Sequence, residues 1–382
     1  MLERTKHYIK RFLMWVYYHT HKTKNKAVFE SFSGKTYSDN PKAISEKLHD
    51  MSPNTEIVWL FSNPEAKKDV VPSYIRCECR NTKNMIKEYS TAKVWVNNFC
   101  MQEFVYKGKN NTYVQTWHGD RPFKKVIYES HKLTFRPGEV REDKICDLCV
   151  AGSDIGEHVY RAAFLYNGKI MKTGSPRVDA LMNPDFEKTI CIKESFGISQ
   201  EINIVLYAPT FRDTKGLCSA HNIDALNFNE LIEVLEQTTS KKWICLLRVH
   251  PSLKIKEVVP LSSKIINASN YEDMTDLLQI ADMLITDYSS SAGDFIMQDK
   301  PLLLYQYDLD KYESEDRELH FNMNESPFWS VRTQEELFKT IKTLKQDDIV
   351  ENCRAIREFY GTTESGHAAE DVCKFLIENA KL

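Results

Sequence analysis

From residue 27 to about residue 310, short apolar runs alternate with longer amphipathic stretches. This alternation constrains the fold more than any other feature. Short apolar strands separated by helices are buried on both faces, as in a parallel sheet covered by helices. AVFESF (27–32), EIVWLFS (56–62), KVWVNNF (93–99), TYVQTWH (112–118) and DLCVAGS (147–153) read as such strands, with helices from Pro41 and at 84–92 and 156–164 between them. After a polar stretch at 183–200 the pattern restarts with NIVLYAPT (203–210), KWICLLRVH (242–250), KIINAS (264–269), MLITDYSS (283–290) and PLLLYQYD (301–308). Helices are expected at 226–237, 273–281 and 291–299, and the chain turns helical after 330. The expected fold is α/β, with two doubly wound Rossmann-like domains, 26–190 and 191–382, facing each other across a cleft. The second carries the closing helices.

Residues 1–25 differ from the rest. Ile9, Phe12, Leu13 and Val16 fall on one face of a helix, with Tyr8, Trp15 and Tyr18 on its flanks. Arg4, Lys6, Lys10, Arg11, Lys22, Lys24 and Lys26 surround them, against the single acid Glu3. This composition suits a helix lying in an anionic membrane interface; a first helix packed on its own domain is the alternative. The apolar core, Phe12 to Tyr18, is far too short to span a bilayer, and no small-residue cleavage site follows it.

A hydrophobic content of 42% and a charged content of 27% exclude a disordered or collagen-like chain. A net charge of −3, from 51 basic and 54 acidic side chains, gives no bulk attraction to nucleic acid. The ten cysteines have no regular spacing, which points to reduced, mostly buried thiols. Cys146 and Cys149 lack a second pair or a histidine at zinc spacing and read as core packing. No metal site and no cofactor are expected. YDLDKYESED (307–316) reads as a solvated acidic loop.

Ligands of open α/β sheets bind beyond the carboxyl ends of the strands, and the chemically interesting residues cluster there. QTWHGD (115–120) places His118 and Gly119 at a strand end, with Arg121, Lys124 and Lys125 following. A histidine beside basic residues suits activating a hydroxyl near a phosphate. LLRVHP (246–251) puts Arg248 and His250 on one strand face, able to reach one anion. ITDYSSSAGDF (285–295) ends a strand at Thr286 and Asp287 and opens a helix with Ser289, Ser290 and Ser291, a phosphate site or an ordinary serine cap. Asp287 either contacts a ribose or base, or caps the turn. YAPTFRD (207–213) directs Thr210, Arg212 and Asp213 to the cleft, with Arg212 either clamping a diphosphate or pairing with an acid. No GxGxxG fingerprint, P-loop, Gly-x-Ser-x-Gly elbow or His-Glu-x-x-His motif is present.

FESFSGKTYSDNPKAI (29–44), YVQTWHGD (113–120), MKTGSPRVDAL (171–181), LYAPTFRD (206–213), LLRVHP (246–251), YEDMTDLLQIADMLITDYSS (271–290) and KPLLLYQYDLDKY (300–312) together resemble the CDP-glycerol glycerophosphotransferase family of teichoic acid and capsule synthesis. The resemblance implies a GT-B-like fold, peripheral attachment to the cytoplasmic face of the membrane, and transfer of a polyol phosphate from a CDP-linked donor with release of CMP. It implies a base role for His118, a further catalytic role for His250, and donor binding by Thr286 to Ser290. The sequence departs from the teichoic acid polymerases in places. WHGDRPFKK is one residue longer than their usual motif, Gly293 replaces a bulky residue, and HFNMNESPF (320–328) differs from their acidic loop.

In this reading Arg212, Arg248, Thr286, Asp287, Ser289 and Ser290 bind the donor, and Gly119, Arg121 and Lys124 contact acceptor or phosphate. The partners are CDP-glycerol or CDP-ribitol, a lipid-linked glycan or polyol-phosphate acceptor and an anionic membrane surface, with no nucleic acid; a homo-oligomer stays open. Two rivals stand beside it: a GT-B glycosyltransferase or nucleotide-sugar epimerase using a UDP-sugar, and a non-catalytic membrane-bound subunit.

Overall fold

The computed structural model describes residues 2–133, 140–210, 212, 226–249 and 261–382, with side chains from Thr5 onward. Two parallel sheets carry the fold. The first has seven strands: β1 (Lys24–Glu30), β2 (Glu56–Phe61), β3 (Ile75–Cys79), β4 (Ala92–Asn97), β5 (Thr112–Gln115), β6 (Leu148–Ala151) and β7 (Lys169–Lys172). Their spatial order is β3-β2-β1-β4-β5-β6-β7. The second has β8 (Asn203–Tyr207), β9 (Trp243–Leu247), β10 (Ile265–Asn267), β11 (Met283–Thr286), β12 (Leu302–Tyr305) and β13 (Ser330–Val331), ordered β10-β9-β8-β11-β12-β13.

Both sheets are built from strands buried on two faces, as the apolar runs require. In β1, Ala27 and Phe29 enter one apolar layer while Val28 enters the layer behind. In β8, Ile204 and Leu206 face one layer and Val205 and Tyr207 the other. In each sheet the strand order reverses beside the first strand, between β1 and β4 and between β8 and β11. The loops leaving these strands and β5 are therefore the ones that border a ligand crevice.

Three strands escape the reading of apolar runs: β3, β7 and β13. Each lies at a sheet edge, where one side is not covered, and each is partly exposed. Edge strands need no continuous apolar run, so periodicity does not mark them.

The chain crosses between the lobes at both ends of the second sheet. Leu181 and Ile192 join the core of the second sheet. Helix Ala368–Ala380, expected with the second domain, instead packs Val372, Cys373 and Leu376 against Ala27, Phe29 and Val94 of the first. Its apolar stripe was legible, but the surface it covers was not.

Helix Leu2–Thr20 forms as expected, but its buried contact is Met14, which packs with Met85, Phe104 and Val105. Tyr8, Ile9, Phe12, Leu13 and Trp15 remain exposed. Three of the basic residues counted around this helix lie beyond its end at Thr20: Lys22 follows it, Lys24 opens β1, and Lys26 is buried in β1, with Nζ 2.6 Å from Glu88. The Arg4 side chain lies outside the described residues. No described helix is long and apolar enough to cross a membrane.

Candidate active site

His118 leaves β5 on a turn held under backbone strain. Trp117 has φ +47°, a left-handed conformation rare for a bulky residue. The turn is fixed from several directions: Trp117 N donates to Gln115 Oε1 at 2.8 Å, and Asn40 Nδ2 donates to the Trp117 carbonyl at 3.1 Å. Phe32, Ser33 and Asp39 of the β1 loop also have positive φ. Such strain persists where surrounding structure over-determines a functional loop.

The imidazole lies among Trp117, Phe32 and Phe99, with ring centroids 4.0, 5.1 and 5.8 Å away. Its Nδ1 is 2.7 Å from the Asn98 carbonyl. A carbonyl only accepts, so Nδ1 carries the hydrogen and Nε2 carries the lone pair. Burial pulls the His118 pKa below the usual histidine value, although the Asn98 hydrogen bond opposes this. Burial therefore favours the neutral ring, and Nε2 makes no hydrogen bond among the described residues. Asn98 was missed by the sequence reading; its only signal was the Asn-Asn pair ending β4.

The two lobes meet here. A Cβ built on Gly119 would stand 3.6 Å from Ser290 Oγ, so the β5 turn lies against the β11 turn. Ser290 Oγ makes no hydrogen bond among the described residues, whereas Ser289 Oγ lies 2.8 Å from Ser291 Oγ and accepts from Ser291 N. Helix Ser291–Phe295 has five residues. It is too short for a strong macrodipole, so anion attraction at this turn rests on the Ser290 hydroxyl and on a cation from the other lobe.

That cation is Lys124. Its backbone pairs antiparallel with Leu319, and Lys125 N donates to the Glu318 carbonyl, so this segment bridges the lobes. No carboxylate pairs with the Lys124 ammonium among the described residues. Burial pushes its pKa down to about 8, opposed by Asp287 and reinforced by Arg317 and Arg212.

Four residues expected at the ligand are otherwise engaged. Arg212 donates from Nε and Nη2 to Asp308, at 2.9 and 3.1 Å, and from Nη1 to Asp287 at 2.9 Å. It lies over Tyr288 and Tyr312, so its fork is spent on organising the turn. Asp287 Oδ1 also accepts from the Thr210 hydroxyl and from the backbone N–H of Thr210 and Tyr288, so this carboxylate is largely engaged in holding the turn. Thr286 Oγ1 donates to the Ala208 carbonyl at 2.6 Å. Arg121 is fully buried and pairs with Asp120, Asp294 and Glu364 at 3.1, 2.7 and 2.5 Å. Buried, paired charges are structural unless a partner is removed, so Arg121 joins the lobes and is not presented to an acceptor.

Arg248 donates to the Tyr271 carbonyl at 2.6 Å, with no carboxylate partner among the described residues. His250 and Asp213 lie outside the described residues. The sequence reading also missed Arg177, which donates to Asp294 from Nε at 2.8 Å and bridges the SPR turn to the serine helix. Burial favours the neutral form of Asp294, but Arg177 and Arg121 hold its carboxyl below the usual range.

Two switch-point crevices face to face, with a histidine and a lysine on one side and a serine turn on the other, define a GT-B-like transferase. The profile of the CDP-glycerol:poly(glycerophosphate) glycerophosphotransferase family matches residues 12–378, and the chain belongs to that family. It is 30% identical over 372 residues to the teichoic acid poly(glycerol phosphate) polymerase of Staphylococcus epidermidis, covering 93% of this chain and 50% of that protein. It is 29% identical over 377 residues to the teichoic acid glycerol-phosphate transferase of Staphylococcus aureus, covering 93% of both. The chain thus spans about half the length of the first relative and nearly all of the second. A solved structure of the wall teichoic acid polymerase TagF, a histidine variant soaked with CDPG, superposes with a TM-score of 0.82 at 29% identity, covering 100% of this chain and 97% of that one.

Proposed function

We propose that this chain transfers glycerol phosphate from CDP-glycerol to a hydroxyl of a membrane-linked acceptor, with His118 as general base. The observation that carries the reading is the free Nε2 of a neutral His118 in the same turn as Gly119, which abuts Ser290 of the other lobe. An acceptor hydroxyl at Nε2 loses its proton to the imidazole as its oxygen attacks the donor's β-phosphorus. The bridging P–O bond breaks, and the electron pair leaves with CMP. Lys124 and the Ser290 hydroxyl offset the charge that accumulates on the diphosphate. Positioning and fixed charge are what phosphoryl transfer chiefly requires.

Helix Leu2–Thr20 supports attachment to a membrane surface. Phe12 is 61% and Tyr8 71% exposed, and Ile9, Leu13 and Trp15 extend the patch. Exposed apolar clusters on a basic helix are the form taken by interfacial anchors. An enzyme held there meets a lipid-linked acceptor without diffusing through solution.

The test offers CDP-glycerol, CDP-ribitol and UDP-sugars separately to the purified chain with a glycerol-phosphate primer. Mass spectrometry is expected to show CMP and a primer heavier by glycerol-phosphate units. Release of UDP with a gain of hexose mass, or no product from any donor by a folded protein, overturns the proposal.

A further inference from the structure

A second cluster of side chains lies away from the crevice, where the first lobe meets the segment carrying Leu319. It joins Glu129, at the end of the short helix Ile127–Glu129, His158 of helix Asp154–Ala162, and His320. Their donor atoms all lie within 4.8 Å of one another. His158 Nε2 is 2.9 Å from Glu129 Oε1, and His320 Nε2 is 3.5 Å from Glu129 Oε2.

The polar bookkeeping of this cluster does not close. The His320 side chain is only 4% exposed, yet among the described residues its Nε2 has no hydrogen-bond partner, and neither has the buried Glu129 Oε2 facing it. Buried polar atoms are rarely left unsatisfied, and each such atom calls for an explanation such as a bound ion. The other ring nitrogen of His320 is engaged by the Lys124 backbone, which leaves Nε2 as the coordinating atom. Backbone support of the second nitrogen is the usual way a ligating imidazole is oriented.

We propose that Glu129, His158 and His320 bind a divalent transition-metal ion, Zn²⁺ foremost, that clasps the 318–320 segment of the second lobe to the first. Two imidazoles and one carboxylate suit zinc and its neighbours, whereas Mg²⁺ and Ca²⁺ favour all-oxygen sets. With bonds of about 2.0–2.2 Å, tetrahedral donors stand roughly 3.3–3.5 Å apart. His158 lies 2.9 Å from Oε1 and His320 3.5 Å from Oε2, so each imidazole stands near that spacing from one oxygen of the carboxylate. His158 is 58% exposed, so a three-residue site here leaves the fourth position open to water. His320 N donates to the Phe123 carbonyl at 2.8 Å, so this clasp fixes the same strand pairing that carries Lys124 to the crevice. The ion is a positioning element outside the transfer step.

The full-length chain, stripped with a chelator and re-dialysed, is titrated with Zn²⁺ alone by calorimetry, and retained metal is counted by mass spectrometry. One ion per chain and a rise in the thermal midpoint are expected, and Co²⁺ in its place should show tetrahedral visible absorption. His158→Gln changes an exposed residue and should keep the fold while weakening Zn²⁺ binding by about 10–100-fold or more. Glu129→Gln should act in the same direction. Absence of tight binding by the wild type overturns the proposal. So does binding of equal strength by both variants, which would place the metal elsewhere, for instance at the thiols of Cys146 and Cys149.

Discussion

Gly293 lies directly beneath Arg121: a Cβ on the glycine would stand 2.5 Å from the Cβ of the arginine and 3.1 Å from its Cδ. The glycine and the arginine come from different lobes, and in the fold they fit into each other. The Arg121 stem passes over a helix position that has no side chain, and its guanidinium reaches Asp294 and Glu364.

Gly293→Ala tests this contact through its sign. In an ordinary helix the change stabilises by roughly 0.5–1 kcal/mol. Here the clash is with the stem of a buried side chain, so a loss of about 1–3 kcal/mol is expected. Urea unfolding, with the slope unchanged and the midpoint lowered, is the check.

The pH profile of kcat/KM should be bell-shaped. The base must be neutral, so activity falls as pH drops through the His118 pKa. Burial, with Arg177 and Lys124 nearby and Asp39 opposing, sets that limb below the usual histidine value. Lys124 must be charged, so activity falls again as pH rises through about 8. Lys124→Arg should move the alkaline limb upward, since guanidinium stays protonated. His118→Ala should cost about 10²–10⁴ in turnover without unfolding the chain.

Ser289 and Ser290 should behave differently. The Ser290 hydroxyl is free to meet a donor phosphate, so Ser290→Ala should weaken CDP-glycerol binding by about 1–3 kcal/mol in calorimetry. The Ser289 hydroxyl bonds within the turn, so Ser289→Ala should lower stability at least as much as affinity.

Phe12→Glu and Leu13→Glu change exposed positions, so stability should stay within about 0.5 kcal/mol. Sedimentation with anionic vesicles should drop sharply for the pair, and wild-type binding should weaken as salt screens the basic flank. Point changes are the cleaner test, because deleting the helix would uncover the packing around Met14.

Much of the site was legible because strand ends in a doubly wound sheet are fixed by the strands themselves. His118, Gly119 and Ser290 all emerge where the apolar runs stop, and the fold sets the Gly119 turn against Ser290. Arg212, Asp287, Thr286 and Arg121 emerge at similar places but turn to one another or to backbone. A sequence shows that an arginine and an aspartate are present at strand ends; it does not show that Arg212 lies 2.9 Å from Asp287. Asn98 and Arg177 act through a carbonyl and a buried ion pair, which leave no periodic signal.

The sequence by itself determined the two parallel sheets, the amphipathic first helix and the strand-end location of the chemistry. These follow from local periodicity, since burial on two faces or one is written into the spacing of apolar residues. Tertiary structure alone decided which charges face a ligand and which cancel, where the last helix packs, and that Glu129, His158 and His320 meet. Those outcomes depend on contacts between residues far apart in sequence, such as the 75 positions between Arg212 and Asp287 and the 173 between Arg121 and Asp294, where burial removes water and makes partner choice, rather than residue type, set the energy of a charge.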